Sequence, residues 1–324
     1  MKNRVLAGIR ATGQLHLGNY LGAIKGMLEL QANNNYETLY MVADAHTITT
    51  PYNPLELKKN RREIIIDYLA AGLNPKKSIL FLQSQVCEHF EMSYYFSSVE
   101  TIARMQHLPT YKDKVKQYPQ HNTMALLNYP ILMAADILLY KAKYVPAGAD
   151  QEPHLEVARE IARKMNEKFG LDFPEPVRFN SEREYIPSLK GEGKMSKSVA
   201  GSYISLTDSL ATIRKKIRSI PTASTSGGKI TGGLKTLFTL GEIFLGKQMK
   251  KYKSQFDQGS LKFVEIKDAL AEKIYQELQP WQKKRQELCR QPQLIDLVIV
   301  EGTRRAKKIA QTTLKEVKEK MGLS

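Results

Sequence analysis

Cysteine is almost missing from this chain of 324 residues: Cys87 and Cys289 lie far apart and have no His or Cys nearby at metal-ligand spacing. That excludes a disulfide scaffold and a cysteine-based zinc module, and the two read as reduced structural thiols. Long apolar runs are missing as well. No stretch approaches the ~20 residues that cross a bilayer, and the opening Met-Lys-Asn-Arg-Val-Leu-Ala-Gly lacks the extended apolar segment of a signal peptide. A cytoplasmic protein, off the membrane, is the expectation. Neither repeats nor low-complexity tracts occur, and 42% hydrophobic with 25% charged residues suffices for a packed core, which excludes disorder and collagen-like folds.

Acidic residues are scarce against basic ones, 33 to 49, for a formal charge of +16. The excess is uneven: residues 206–324 hold 24 basic and 12 acidic side chains, the remaining 205 residues 25 and 21. A C-terminal part that faces a polyanion explains this, because lysines and arginines on phosphates release condensed counterions. A solvated lysine-rich surface gives the same count. The length fits two domains.

Apolar runs at Val5–Ile9, Glu37–Ala43 and Ser78–Leu82 read as buried strands. Helical periodicity covers Asn19–Leu30, Pro54–Ala71 up to Gly72, and residues 122–140 despite Pro130. Tyr144–Val145 is a further short strand candidate before a helix from about Gln151. This alternation predicts an α/β fold with a parallel, Rossmann-like sheet covered by helices, and ligands beyond the carboxyl ends of its strands. From Asp208 onward strand signals fade into amphipathic helices with Gly/Ser turns such as Ser224–Gly233, ending in a helix over about Gln293–Met321.

Three segments carry chemistry. The first is Gly8-Ile-Arg-Ala-Thr-Gly-Gln-Leu-His-Leu-Gly-Asn-Tyr20, between a strand and a helix. Its glycines allow close backbone approach, the following helix offers N–H groups to phosphate, and His16 and Asn19 add side-chain hydrogen bonds. It matches neither the Walker P-loop nor the GxGxxG fingerprint, and as an isolated string it also fits a plain strand-to-helix turn. The second is Lys194-Met-Ser-Lys-Ser198 among Gly191, Gly193 and Gly201, a loop whose two lysines can offset charge on a leaving pyrophosphate. In the third, Tyr129-Pro-Ile-Leu-Met-Ala-Ala-Asp136, residues Tyr129, Met133 and Asp136 share one helix face. A thioether beside a carboxylate suits a flat aromatic ligand with one N–H donor; core packing also explains Met133, but Asp136 in an apolar run needs a partner.

The first two segments together resemble the class I aminoacyl-tRNA synthetase signatures HIGH and KMSKS, here His16-Leu-Gly-Asn19, a variant, and Lys194–Ser198, complete. The Met-Ala-Ala-Asp string at 133–136 narrows the resemblance to the tryptophanyl-tRNA synthetase family, over nearly the whole chain and in a divergent bacterial form; the related tyrosyl enzymes generally have glutamine where Met133 stands. The resemblance implies a tryptophan–tRNA ligase that uses ATP with Mg2+ and tRNA(Trp), as a homodimer. Tyrosine specificity and a non-catalytic RNA-binding paralogue are the rival readings.

By the same resemblance His16, Asn19, Lys194 and Lys197 are catalytic, and Arg10, Thr12, Gly18, Asn19, Lys114, Gly148, Asp150, Lys194, Met195, Ser196 and Lys197 bind ATP. Leu6, Gly8, His46, Tyr129, Met133, Asp136, Val145 and Gln151 surround tryptophan, with Asp136 on the indole N–H and Tyr129 and Gln151 on the ammonium. Lys114 belongs to Thr110-Tyr-Lys-Asp-Lys114, similar to a phosphate-binding loop of the family. The implied domains are 1–205, catalytic, with 85–140 supplying dimer interface and pocket and 191–201 the KMSKS loop, and 206–324, a basic helical anticodon-binding domain whose last helix can pack back on the first. One departure stands out: many bacterial tryptophanyl enzymes read Gly-Ile-Gln-Pro-Ser-Gly where this chain has Gly8-Ile-Arg-Ala-Thr-Gly13. Arg10 thus puts a permanent cation where a neutral amide is usual, and is expected on a phosphate or the substrate carboxylate.

Overall fold

The computed structural model describes residues 2–179, 185–197, 199–222 and 231–324; Ser198 and residues 224–230 of the Gly/Ser stretch lie outside them. The chain divides into two compact units, Met1–Gly13 with Gly26–Ser181 and Leu288–Ser324, and Gln14–Lys25 with Glu182–Glu287. These units are cut differently from domains 1–205 and 206–324, since the last helix clusters with the sheet. Charge tracks what a surface meets, whereas compact units follow apolar burial.

The first unit is built on five strands: β1 (Asn3–Arg10), β2 (Tyr36–Ala43), β3 (Ile79–Leu82), β4 (Tyr144–Pro146) and β5 (Val177–Phe179). All pairings are parallel, in the order β3-β2-β1-β4-β5, with Gly8 opposite Met41 and Arg10 opposite Ala43. The order reverses at β1, so the loops leaving β1 and β4 part there, the position where such sheets bind ligands. β5 was not anticipated: three residues behind Phe173-Pro-Glu-Pro176 are too few for a period.

β2 and β3 are buried through most of their length, as covered parallel strands must be. The helix Met124–Leu139 runs through Pro130 as expected and sends Ala134, Ile137 and Leu138 into the core. The last helix, Pro292–Met321, joins that core through Ala306, Ala310, Leu314 and Val317, spaced by about one turn. Gly302 permits this: a Cβ there would lie 1.7 Å from the Leu80 carbonyl oxygen on β3. Of the 24 basic residues in 206–324, eight belong to 288–324, so a third of the C-terminal positive charge rides on the first unit.

The second unit holds the helices Leu210–Arg218, Gly232–Leu245 and Gln248–Asp257 and most of Phe263–Cys289. Its buried residues include Leu15, Leu17, Leu21, Ile213, Leu237, Leu270 and Trp281. No helix among the described residues is long and apolar enough to cross a membrane. Cys87 and Cys289 are both exposed and are not joined in a disulfide.

Candidate active site

In the second unit, Leu15–Leu17 lies along Ile204–Leu206, with Leu17 N–H donating to Ile204 O (2.9 Å) and Leu206 N–H to Leu15 O (3.1 Å). His16 then caps the turn Leu17–Asn19 reciprocally: its Nδ1 accepts from Asn19 N–H (3.3 Å) and Asn19 Oδ1 accepts from His16 N–H (3.1 Å). Asparagine in the fourth signature position therefore supplies an acceptor to the backbone. A π-helical turn, Tyr20–Ile24, follows. The amides of Leu17 and Asn19 are taken by Ile204 and His16.

His16 is buried, and burial, helped by Lys197 and Lys194, lowers its imidazolium to about 4. It is neutral at physiological pH, and with Nδ1 accepting, its proton sits on Nε2 as a hydrogen-bond donor. Gly18 lets Met195 lie beside it; a Cβ on Gly18 would come within 2.9 Å of His16 Cε1 and 3.4 Å of Met195 Cβ. The lysine loop is tied by Met195 N–H to Ile186 O (2.9 Å), Ser188 N–H to Gly193 O (2.9 Å) and Ser202 Oγ to Ser196 O. Met195 is buried while Lys194 is exposed.

The first unit contains the amino-acid residues. Asp136, 1% exposed, receives four hydrogen bonds: His89 Nδ1 (2.6 Å) and Gln83 Nε2 (2.8 Å) at Oδ1, His46 Nε2 (2.7 Å) and Gln83 Nε2 (3.0 Å) at Oδ2. Burial alone would raise the carboxyl; His46 and then His89 overcome it and bring it down to about 2. Gln83 Oε1 accepts Ala45 N–H (3.1 Å), which fixes its amide, and Tyr140 Oη–H reaches His89 Nε2 (2.8 Å), which leaves the His89 proton on Nδ1 for Asp136. Asp44 braces the rim by accepting from Ala45 N–H, Ser84 N–H and Ser84 Oγ, and pairs with Arg61. The expected partner for Asp136 exists, but the carboxylate is filled by protein donors.

Met133 and Tyr129, both half-buried, lie on the same helix about one and two turns away. Tyr129 is hydrogen-bonded to His154, whose Nδ1 is buried without a partner; burial lowers His154 to about 4. Tyr129 also stands edge-on to His46, ring centroids 6.4 Å apart. Gln151 donates to Asp150 Oδ2 (2.7 Å) in the turn Ala149–Gln151, which Gly148 precedes. Leu6 and Val145 are core residues at the sheet, and a Cβ on Gly8 would crowd the Met41 side chain at 3.0 Å. Sequence reasoning missed Gln83, His89, Asp44 and His154.

Two cations complete this unit. Arg10 Nη2 donates to Thr50 Oγ1 (3.2 Å), and its buried Nε has no partner. Burial lowers the Arg10 guanidinium, and burial together with the charge of Arg10 lowers Lys114. An anion between them would satisfy both. Lys114 sits in a helix, Pro109–Gln117, rather than the expected loop, since Pro109 in the first turn starts a helix. Thr12 follows at the exposed end of the loop after β1.

A sequence model of the family described as tRNA synthetases class I (W and Y) matches residues 1–279. The chain belongs to this class I synthetase family. A tryptophan–tRNA ligase of Chlamydia caviae is 37% identical, with 100% of this chain and 96% of the relative covered. Among solved structures, the tryptophanyl-tRNA synthetase of Mycoplasma pneumoniae superposes with a TM-score of 0.87 at 32% identity, covering 100% of this chain and 99% of the other. That of Campylobacter jejuni, complexed with ADP and tryptophan, gives 0.86 at 32% identity, covering 99% and 100%.

Proposed function

We propose that this synthetase charges tRNA with tryptophan in two ATP-dependent steps. The tryptophan carboxylate attacks the α-phosphate, forming tryptophanyl-adenylate and releasing pyrophosphate; a terminal ribose hydroxyl of the tRNA then takes the acyl group. The observation that carries the reading is the helix face of Tyr129, Met133 and Asp136, which offers one buried carboxylate beside apolar and aromatic surface. Tryptophan presents one N–H to such a face. Tyrosine would need partners for a hydroxyl.

In-line displacement at phosphorus needs no covalent nucleophile from the protein; positioning and charge carry it. Neutral His16 donates through Nε2–H to a phosphate oxygen while Lys194 and Lys197 meet the charge on departing pyrophosphate. Asn19 holds His16 in register. Arg10 and Lys114 take a further anion, a phosphate or the substrate carboxylate. Gly18, Met195 and Ser196 shape the nucleotide's surroundings, and Tyr129 and Gln151 receive the ammonium while Asp150, which accepts from Gln151, orders the site. Magnesium would be carried on the nucleotide's own oxygens and water.

The basic helices of 206–287 would grip tRNA, and Phe90, Tyr94, Ile102 and Met124, all exposed, would form a homodimer interface within 85–140. The setting is the cytoplasm, where tRNA is charged. Amino-acid-dependent exchange between pyrophosphate and ATP tests the reading. Exchange with tryptophan alone supports it, exchange with tyrosine overturns the specificity, and none at all favours an RNA-binding protein without catalysis.

A further inference from the structure

An ionised carboxylate has about four lone-pair sites, two on each oxygen. Asp136 already has two contacts on each oxygen, from His89 at Oδ1, His46 at Oδ2 and the Gln83 amide bridging both. If Asp136 receives the indole N–H, one of these donors must leave. Gln83 is fully buried and its amide oxygen is committed to Ala45 N–H. His89 is fully buried too, and its second nitrogen is engaged by Tyr140. Releasing either would strand a buried polar group.

His46 differs on each count. Its side chain keeps 11% of its surface exposed, it sits on the short 3-10 turn Ala45–Thr49 after β2, and its second ring nitrogen makes no hydrogen bond to the described residues. It is also the donor that faces the ring of Tyr129. We infer that His46 is a resident surrogate for the substrate's N–H: it fills one lone pair of Asp136 in the free protein and yields that position when the indole arrives. The inference rests on the tryptophan reading above.

Such an exchange makes the pocket selective by competition. A ligand with an N–H replaces one hydrogen bond by another, whereas an isostere without it leaves His46 in place. The net value of the N–H is then smaller than a charged hydrogen bond normally supplies. Without His46, the incoming N–H would meet only water at that lone pair.

The test measures Kd by calorimetry for L-tryptophan and for its benzothiophene analogue, in which sulfur replaces N–H. The ratio of analogue to tryptophan should rise at least about fivefold in His46→Ala over the parent protein, since a hydrogen bond to a charged group is then gained without one being lost. A ratio unchanged or lowered overturns the inference. Asp136→Asn tests the underlying reading: a ratio equal to the parent's means that the carboxylate does not serve the indole, whatever His46→Ala does. Should His46→Ala fail to fold, nitrogen-15 spectra of the parent protein give the same answer. The His46 Nε2 signal should shift with tryptophan and hold with the analogue; identical shifts with both would refute the exchange.

Discussion

Asp136 meets three protein donors in four contacts within 3.0 Å and is almost without exposure, whereas Lys194 is exposed on a loop tied through its backbone and Ser202. The first arrangement belongs to the sheet-bearing unit and fills the carboxylate before a ligand arrives. The second leaves charge unspent. The contrast follows from what each must recognise: a single N–H on a flat ring has to be placed within a hydrogen bond's tolerance, which only a preorganised network achieves. Triphosphate charge is large and passes to a leaving group, so cations that strengthen their hold as charge develops serve better than a tight ground-state cradle.

Substitutions can break this contrast. Lys197→Ala should slow pyrophosphate exchange by about a hundredfold or more, while the Kd for tryptophan stays within about twofold. Equal losses in rate and tryptophan affinity would erase the distinction. Tyr129→Phe should do the reverse, raising the KM for tryptophan about tenfold and leaving that for ATP alone, because a hydrogen bond toward a charged ammonium is lost. Arg10→Gln tests a cation in the sheet-bearing unit: a several-fold rise in the KM for ATP assigns it to phosphate, one for tryptophan to the carboxylate. No change in either KM would sink the anion reading.

The smallest effect lies in pH. His16 and His154 both have folded values of about 4, below the ordinary histidine value of 6.5, so the unfolded chain binds more protons between those limits. Thermal midpoints should be flat from neutral pH to about 6.5 and then fall toward pH 4. Below that, Asp136, lowered from 3.8 to about 2, loses its contribution as pH drops through its folded value. His154→Asn should shallow the first descent. A midpoint that rises between pH 6.5 and 4 would contradict the burial of both histidines.

Much of this was legible in the order of residues. The glycine-bearing loop, the lysine loop and the spacing of Tyr129, Met133 and Asp136 are local patterns, and β1, β2 and the helix through Pro130 appear where periodicity put them. The donors to Asp136 were not legible, because they lie 47, 53 and 90 residues away and meet it only after the sheet forms. A carboxylate in an apolar run announced that partners must exist without naming them. His154 had no signal beyond a histidine at a helix start, and apolar spacing in the last helix, not its charge, decides where that helix packs.

That last helix also bears on how the protein is made. Leu288–Ser324 belongs to the first unit, with Gly302 against the backbone of β3, yet these residues leave the ribosome only after the second unit has been made. Domains ordinarily fold as they emerge, amino-terminal first. Here β3 has to wait, uncovered, while the whole second unit is synthesised, so the nascent chain depends longest on whatever shields apolar surface during translation, and a ribosome that stops near Glu287 releases a protein lacking one wall of its own core.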